Sequence, residues 1–171
     1  MSRRTPRLQA PEGGHIAAPD GEENTMPRIF GHDLLAVIAA VILAYAVGFI
    51  MYGVLFTEMW MEMAGITQAD AEGAPAWKMY LGIVMPILMV LGLAKLFKLT
   101  GKSDLMGHLT VGFVAWLGFA FPTLMYGWVY GIGYPLGLLV MDGAHLLISI
   151  LVASAVLLWR KEASAAAAAP A

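Results

Sequence analysis

The sequence predicts an all-α fold: a polytopic membrane protein with four transmembrane helices and both termini in the cytoplasm. Three observations predict it. Of the 171 residues, 60% are hydrophobic and only 13% are charged, against about 45–50% and about 25% in an ordinary soluble domain. That much apolar surface calls for a bilayer as solvent. Four apolar runs of spanning length are separated by charge, glycine or proline. Threading those runs through a membrane leaves nine of the ten basic residues on one side.

In chain order, residues 1–30 are rich in proline, glycine and charge and carry no hydrophobic period, which predicts a disordered cytoplasmic tail. Ser2-Arg3-Arg4 stands too far from the first apolar run for a twin-arginine signal. That run is itself longer than the roughly 7–15 residues of a cleaved signal peptide. A transmembrane domain is expected over residues 31–160. Its first span is placed at about 34–56, a stretch of 23 residues without a charge, which meets the roughly 20 needed to cross. The second is placed at about 77–99, with Lys78, Lys95 and Lys98 snorkelling to the interfaces.

From Leu105 to Met141 there is no Asp, Glu, Lys or Arg. A single helix of that length would measure about 55 Å, too long for one crossing. The segment GWVYGIGYP, Gly127 to Pro135, supplies a turn. Spans three and four therefore fall at about 105–126 and about 134–159, and residues 161–171 form an Ala-rich tail.

Orientation follows from the basic residues. Arg3, Arg4, Arg7, Arg28, Lys95, Lys98, Lys102, Arg160 and Lys161 share one side, and Lys78 alone lies opposite. The positive-inside bias makes the first side cytoplasmic. Glu58, Glu62, Asp70 and Glu72 lie in the outer loop. The expected location is a cytoplasmic (inner) membrane, with the lipid bilayer as the obligatory partner.

Within the spans, Ala36, Ala40, Ala44 and Gly48 recur every four residues, a spacing that lets helix backbones approach closely. Pro86 and Pro122 lie inside spans two and three, where each frees a carbonyl and permits a kink. Thr67 followed by Asp70 reads as a helix N-cap with an acidic N3 residue.

The stretch GFIMYGVLFTEMWMEMAGIT, Gly48 to Thr67, resembles the bacterial family called domain of unknown function 1761. In that family the first helix ends in a pattern like Gly-x-x-Trp-Tyr-Gly-Pro-Leu-Phe, then a Trp four residues on, then Gly-Leu-Thr. Gly48, Tyr52, Gly53, Leu55, Phe56, Trp60, Gly65 and Thr67 match, while Met51 replaces the Trp and Val54 the Pro. The fourth span is similar too, through Gly143, His145, Leu146 and Leu147. The resemblance covers roughly residues 33–160 and implies a small four-helix bundle. It brings no activity, because the family is uncharacterised.

Asp142 and His145 carry the chemistry of the fourth span. They lie i, i+3 on one helix face, and Ser149 continues the stripe. A charge at mid-membrane costs about 2.5–3.5 kcal/mol on insertion scales, so Asp142 is expected to face the bundle interior or a hydrated cavity. By helical rise it sits about 12 Å below Tyr134 and about 27 Å from Arg160. One reading is a proton-exchanging pair or a polar ligand pocket. The other is helix pinning, through a bond to a tyrosine or to backbone near a proline. Tyr45 and Tyr126 are the candidate partners by depth.

Other chemistries are weaker. Two nitrogens on one haem iron would be about 4 Å apart, whereas His108 and His145 differ in height by roughly 13 Å. His108 therefore reads as an interfacial histidine. Met59, Met61 and Met63 offer soft sulfur ligands for Cu(I), but they converge only if the stretch is extended rather than helical. A helix running on into the interface, with Met and Trp buried and Glu58 and Glu62 wet, accounts for them better. There are no cysteines, and no phosphate-binding, metalloprotease or serine-hydrolase motif. Neither a cofactor nor nucleic-acid binding is expected. The leading expectation is a non-enzymatic, homo-oligomeric membrane protein that binds or passes a small ligand or proton through an Asp142/His145 pocket. The alternative is an accessory subunit packing against a larger membrane complex through the Ala36–Gly48 ridge.

Overall fold

The computed structural model describes residues 27–159. Most of the expected tail, with Arg3, Arg4, Arg7 and His15, lies outside the described residues, as do Arg160, Lys161 and the Ala-rich tail. The chain begins with a two-stranded antiparallel hairpin, β1 (Arg28–Ile29) against β2 (His32–Asp33). Its two turn residues, Phe30 (φ 51°) and Gly31 (φ 90°), are both left-handed, as a tight two-residue hairpin requires. Arg28 and Ile29, assigned to the tail by composition, are thus ordered by pairing. Asp33 then caps α1 (Leu34–Ile50) by accepting from the Leu35 amide at 2.8 Å.

Among the described residues, four helical stretches are long and apolar enough to cross a membrane: Leu34–Leu55, Ala76–Thr100, Leu105–Tyr130 and Leu136–Val156. The first is α1 plus a π-helical turn, Met51–Leu55, followed by a short α2 (Thr57–Ala64). A small α3 (Gln68–Gly73) opens with the Thr67/Asp70 capping box that its sequence announced. The second span is α4 (Ala76–Leu81) and α5 (Val84–Thr100), interrupted at Gly82 and Ile83. The third is α6 (Leu105–Ala115), a π-helical turn Trp116–Ala120, and α7 (Phe121–Tyr130). The fourth, α8 (Leu136–Val156), starts directly after Pro135.

Both prolines act as expected. A proline ring displaces the carbonyl four residues back, which is Gly82 for Pro86 and Gly118 for Pro122. The first lies at the α4/α5 break and the second inside the π turn. The third span runs to Tyr130 instead of ending at Tyr126, a correction to the expected turn. A glycine inside a helix costs only about 1 kcal/mol, so Gly127 is carried through. The chain leaves the helix at Gly131, whose amide still bonds the Gly127 carbonyl.

α8 is the hub, packing against α1, α5, α6 and α7. Ala36 and Ala40 are fully buried and Ala44 nearly so, so the small-residue ridge of α1 is covered inside the bundle. The core gathers Val37, Ala40, Val90, Ala94, Phe97, Ile150 and Leu157 towards the hairpin end. That end is also latched by polar groups. His32 Nδ1 faces the Leu157 carbonyl at 2.9 Å, and His108 Nδ1 faces the Ser154 carbonyl at 3.1 Å. Ser154 lies in the last turn of α8 and Leu157 is its C-cap, where a helix lacks its own donors. His108 is fully buried and stacked on Phe97 with ring centres 3.8 Å apart.

Candidate functional site

The opposite half of the bundle is built around Asp142. Its two carboxylate oxygens accept one hydrogen bond each, from the Tyr52 hydroxyl and the Tyr134 hydroxyl, both at 2.6 Å. Tyr52 lies in the first π-helical turn, which the Phe56 amide closes on the Met51 carbonyl at 2.9 Å. The extra residue in that turn changes the register of the side chains beyond α1, and Tyr52 reaches across to α8. Tyr134 lies in the loop just before α8, where burial, then the hydrogen bond to Asp142 and its charge, push its hydroxyl pKa up to about 12.

Neither tyrosine is one that depth had nominated. Tyr45 lines a neighbouring cavity, and Tyr126 is exposed beside Tyr130, with ring centres 4.8 Å apart. Tyr134 was missed because it falls outside regular helix, although its spacing of eight residues from Asp142 is close to two helical turns.

His145 stands one turn along α8 from Asp142. Its ring meets the Tyr52 ring edge-on at 5.0 Å, and Tyr52 in turn packs against Trp60 at 5.7 Å. The imidazole lies so close to α1 that a Cβ on Gly48 would stand 2.9 Å from Nε2. Glycine at 48 is what lets the ring in. No hydrogen bond to either ring nitrogen of His145 occurs among the described residues.

Ser149, one further turn along, is almost completely buried, and its hydroxyl has no hydrogen-bond partner. A buried helical serine ordinarily bonds back to the carbonyl four residues before it. Ser154, on the same helix, does so to Ile150 at 2.7 Å. Ser149 does not.

His145 and Ser149 both line a cavity of about 460 Å³, together with Tyr45, Gly48, Phe49 and Tyr52 of the first span and Gly82, Met85, Pro86 and Met89 of the second. Ala120 of the second π-helical turn completes the wall. All three backbone irregularities of the spans therefore border one space: the first π turn through Tyr52, the α4/α5 break through Gly82, the second π turn through Ala120. Missing turns and widened turns are what leave room there. The lining contains no Lys, Arg, Asp or Glu.

The remaining motif positions serve this region unequally. Trp60 backs Tyr52, and Gly65 ends α2 in the left-handed conformation. Gly53 touches the Phe49 ring, whereas Leu55 and Phe56 face outward. Met59, Met61 and Met63 lie on the helix α2, so the extended geometry that copper ligation needs is absent. Met59 and Met63 instead line an outer groove with Met51 and Met141, and Glu58 and Glu62 are exposed.

A family model described as "Protein of unknown function (DUF1761)" matches residues 35–158. No curated protein and no solved structure matches the chain.

Proposed function

The chain belongs to the DUF1761 family, and from its geometry we propose a multi-pass protein of the bacterial cytoplasmic membrane that binds a small ligand between its helices. The observation that carries this reading is that Ser149, whose buried hydroxyl has no partner, lines a cavity of about 460 Å³, beside a histidine whose nitrogens make no hydrogen bond among the described residues. A buried hydroxyl without a partner costs about 1–3 kcal/mol. A bound group that satisfies it recovers that cost. Three local disruptions of helix around one space support the same reading, since π turns recur at functional sites.

Asp142 has a supporting role in this reading. Two tyrosine hydroxyls occupy its two oxygens, so it orients Tyr52 against His145 and leaves the cavity to His145 and Ser149. A role as an accessory subunit has less support, because the Ala36–Ala44 face it would offer a partner is covered by the bundle itself. Ser149→Ala tests the proposal. Removing an unsatisfied hydroxyl should raise the thermal stability of the purified, ligand-free protein, by about 1–2 kcal/mol. A clear loss of stability would mean that the hydroxyl is a structural donor, and the site reading would fall.

A further inference from the structure

Resting on that site, we infer that the ligand is a neutral, mostly apolar molecule carrying a carbonyl acceptor, and that it enters sideways from the bilayer between α1 and α5. Neutrality follows from the lining, which holds no charged side chain. Asp142, the nearest carboxylate, has both oxygens engaged by Tyr52 and Tyr134. A cation would find no free counter-charge, and an anion no Lys or Arg.

The acceptor follows from Ser149. Its hydroxyl can donate one proton and does not give it to the His145 carbonyl four residues back. A carbonyl oxygen on the ligand takes that bond, with His145 alongside. The rest of the wall is aromatic, aliphatic or thioether, and it accepts an apolar body. At about 460 Å³ the space falls within the roughly 300–1,000 Å³ typical of small-molecule sites.

Entry follows from exposure and depth. Phe49 (64% exposed) and Met85 (69% exposed) form the mouth with Tyr45. They face outward from the first two spans. His145 lies nine residues into α8, about 14 Å along a helix of about 31 Å, so the mouth opens at the hydrocarbon level. A molecule arriving there is already dissolved in lipid. The α4/α5 break at Gly82 and Ile83, beside Pro86, sets the gap that admits it.

Benzophenone is a suitable probe, being two phenyl rings joined by one carbonyl. On irradiation its excited ketone removes a hydrogen atom from a nearby C–H, and the two carbon radicals combine, leaving a tertiary alcohol bonded to the protein. The full-length protein in lipid nanodiscs is photolabelled at increasing probe concentration and mapped by mass spectrometry. Saturable labelling is expected at Met85 and Met89. Diphenylmethane, which lacks the carbonyl, should protect against labelling with an affinity about 2- to 10-fold weaker than the benzophenone affinity read from saturation, the worth of one hydrogen bond. Ser149→Ala should lower benzophenone affinity by a similar factor, and Met85→Trp should block labelling at Met89.

Even, unsaturable labelling of lipid-facing methionines such as Met79 and Met106 would overturn the inference. So would equal competition by diphenylmethane together with unchanged affinity in Ser149→Ala. The stability of Ser149→Ala is read without any probe, so a wrong ligand class and a wrong site give different results.

Discussion

Asp142 is the residue on which most of the local geometry depends. In Asp142→Asn one acceptor oxygen is replaced by an NH₂ group, so one of two tyrosine hydroxyls 2.6 Å away loses its acceptor. The variant should lose about 1–3 kcal/mol of stability at neutral pH, measured as a fall in the thermal midpoint. Adding Tyr52→Phe to that background should cost less than it does in the native chain, which a double-mutant cycle reads directly. Burial of Tyr134, together with the same carboxylate, leads to an alkaline transition. Tyr134 ionises at about 12 in the folded protein, above the ordinary value of about 10. Its contribution is complete below pH about 10 and is lost as pH rises through 12, because there the folded state holds the proton that the unfolded state has released. Tyr134→Phe should flatten that fall, followed by unfolding midpoints between neutral pH and pH 12. Asp142 and His145 were legible in the sequence because polar side chains stand out in an apolar run. Their partners were not. Counting helical rise assumes a regular helix, and Tyr52 reaches Asp142 from a π-helical turn while Tyr134 does so from a loop.

Among the elements, α1 and α8 depend on each other through one missing Cβ. Gly48→Ala places a carbon 2.9 Å from His145 Nε2, and either the ring or the helix must move. A loss of about 1–3 kcal/mol is expected. His145→Ser should remove most of that loss, and a thermal-shift comparison of the two single variants with the double variant checks it. An equal loss with and without the imidazole would contradict the packing described for this contact. The positions of the helices were legible, since length and apolarity decide what crosses a bilayer. The capping box and both proline disruptions were legible too, each being a local consequence of residue type. The end of the third span was not, because glycines at 127, 131 and 133 offer three places to stop and only backbone hydrogen bonding chooses among them. The hairpin at Arg28–Asp33 escaped notice for a different reason: two-residue strands leave no periodicity to detect.

For the whole molecule, the distribution of charge makes a claim about direction. The hairpin and the α5–α6 junction lie at one end of the bundle, with α2 and α3 at the other. The chain has no cysteine, so a single introduced thiol reports its side without interference. Ala69→Cys should react with a membrane-impermeant maleimide in intact cells, and Ser103→Cys only after permeabilisation. The reverse pattern would overturn the orientation drawn from the basic residues. The arrangement of the helices adds a constraint in time. α8 is the last of these four spans to leave the ribosome, yet with its C-cap Leu157 it supplies Ile150, Ala153 and Leu157 to the core and the carbonyls that His32 and His108 face. Three spans therefore enter the bilayer before the fourth gives them a centre, with α1 packed on α5 as their main contact until then. The bundle can therefore close around its centre only after the fourth span has been made, and a chain halted before α8 leaves the surfaces of α1, α5 and α6 that α8 covers without their cover.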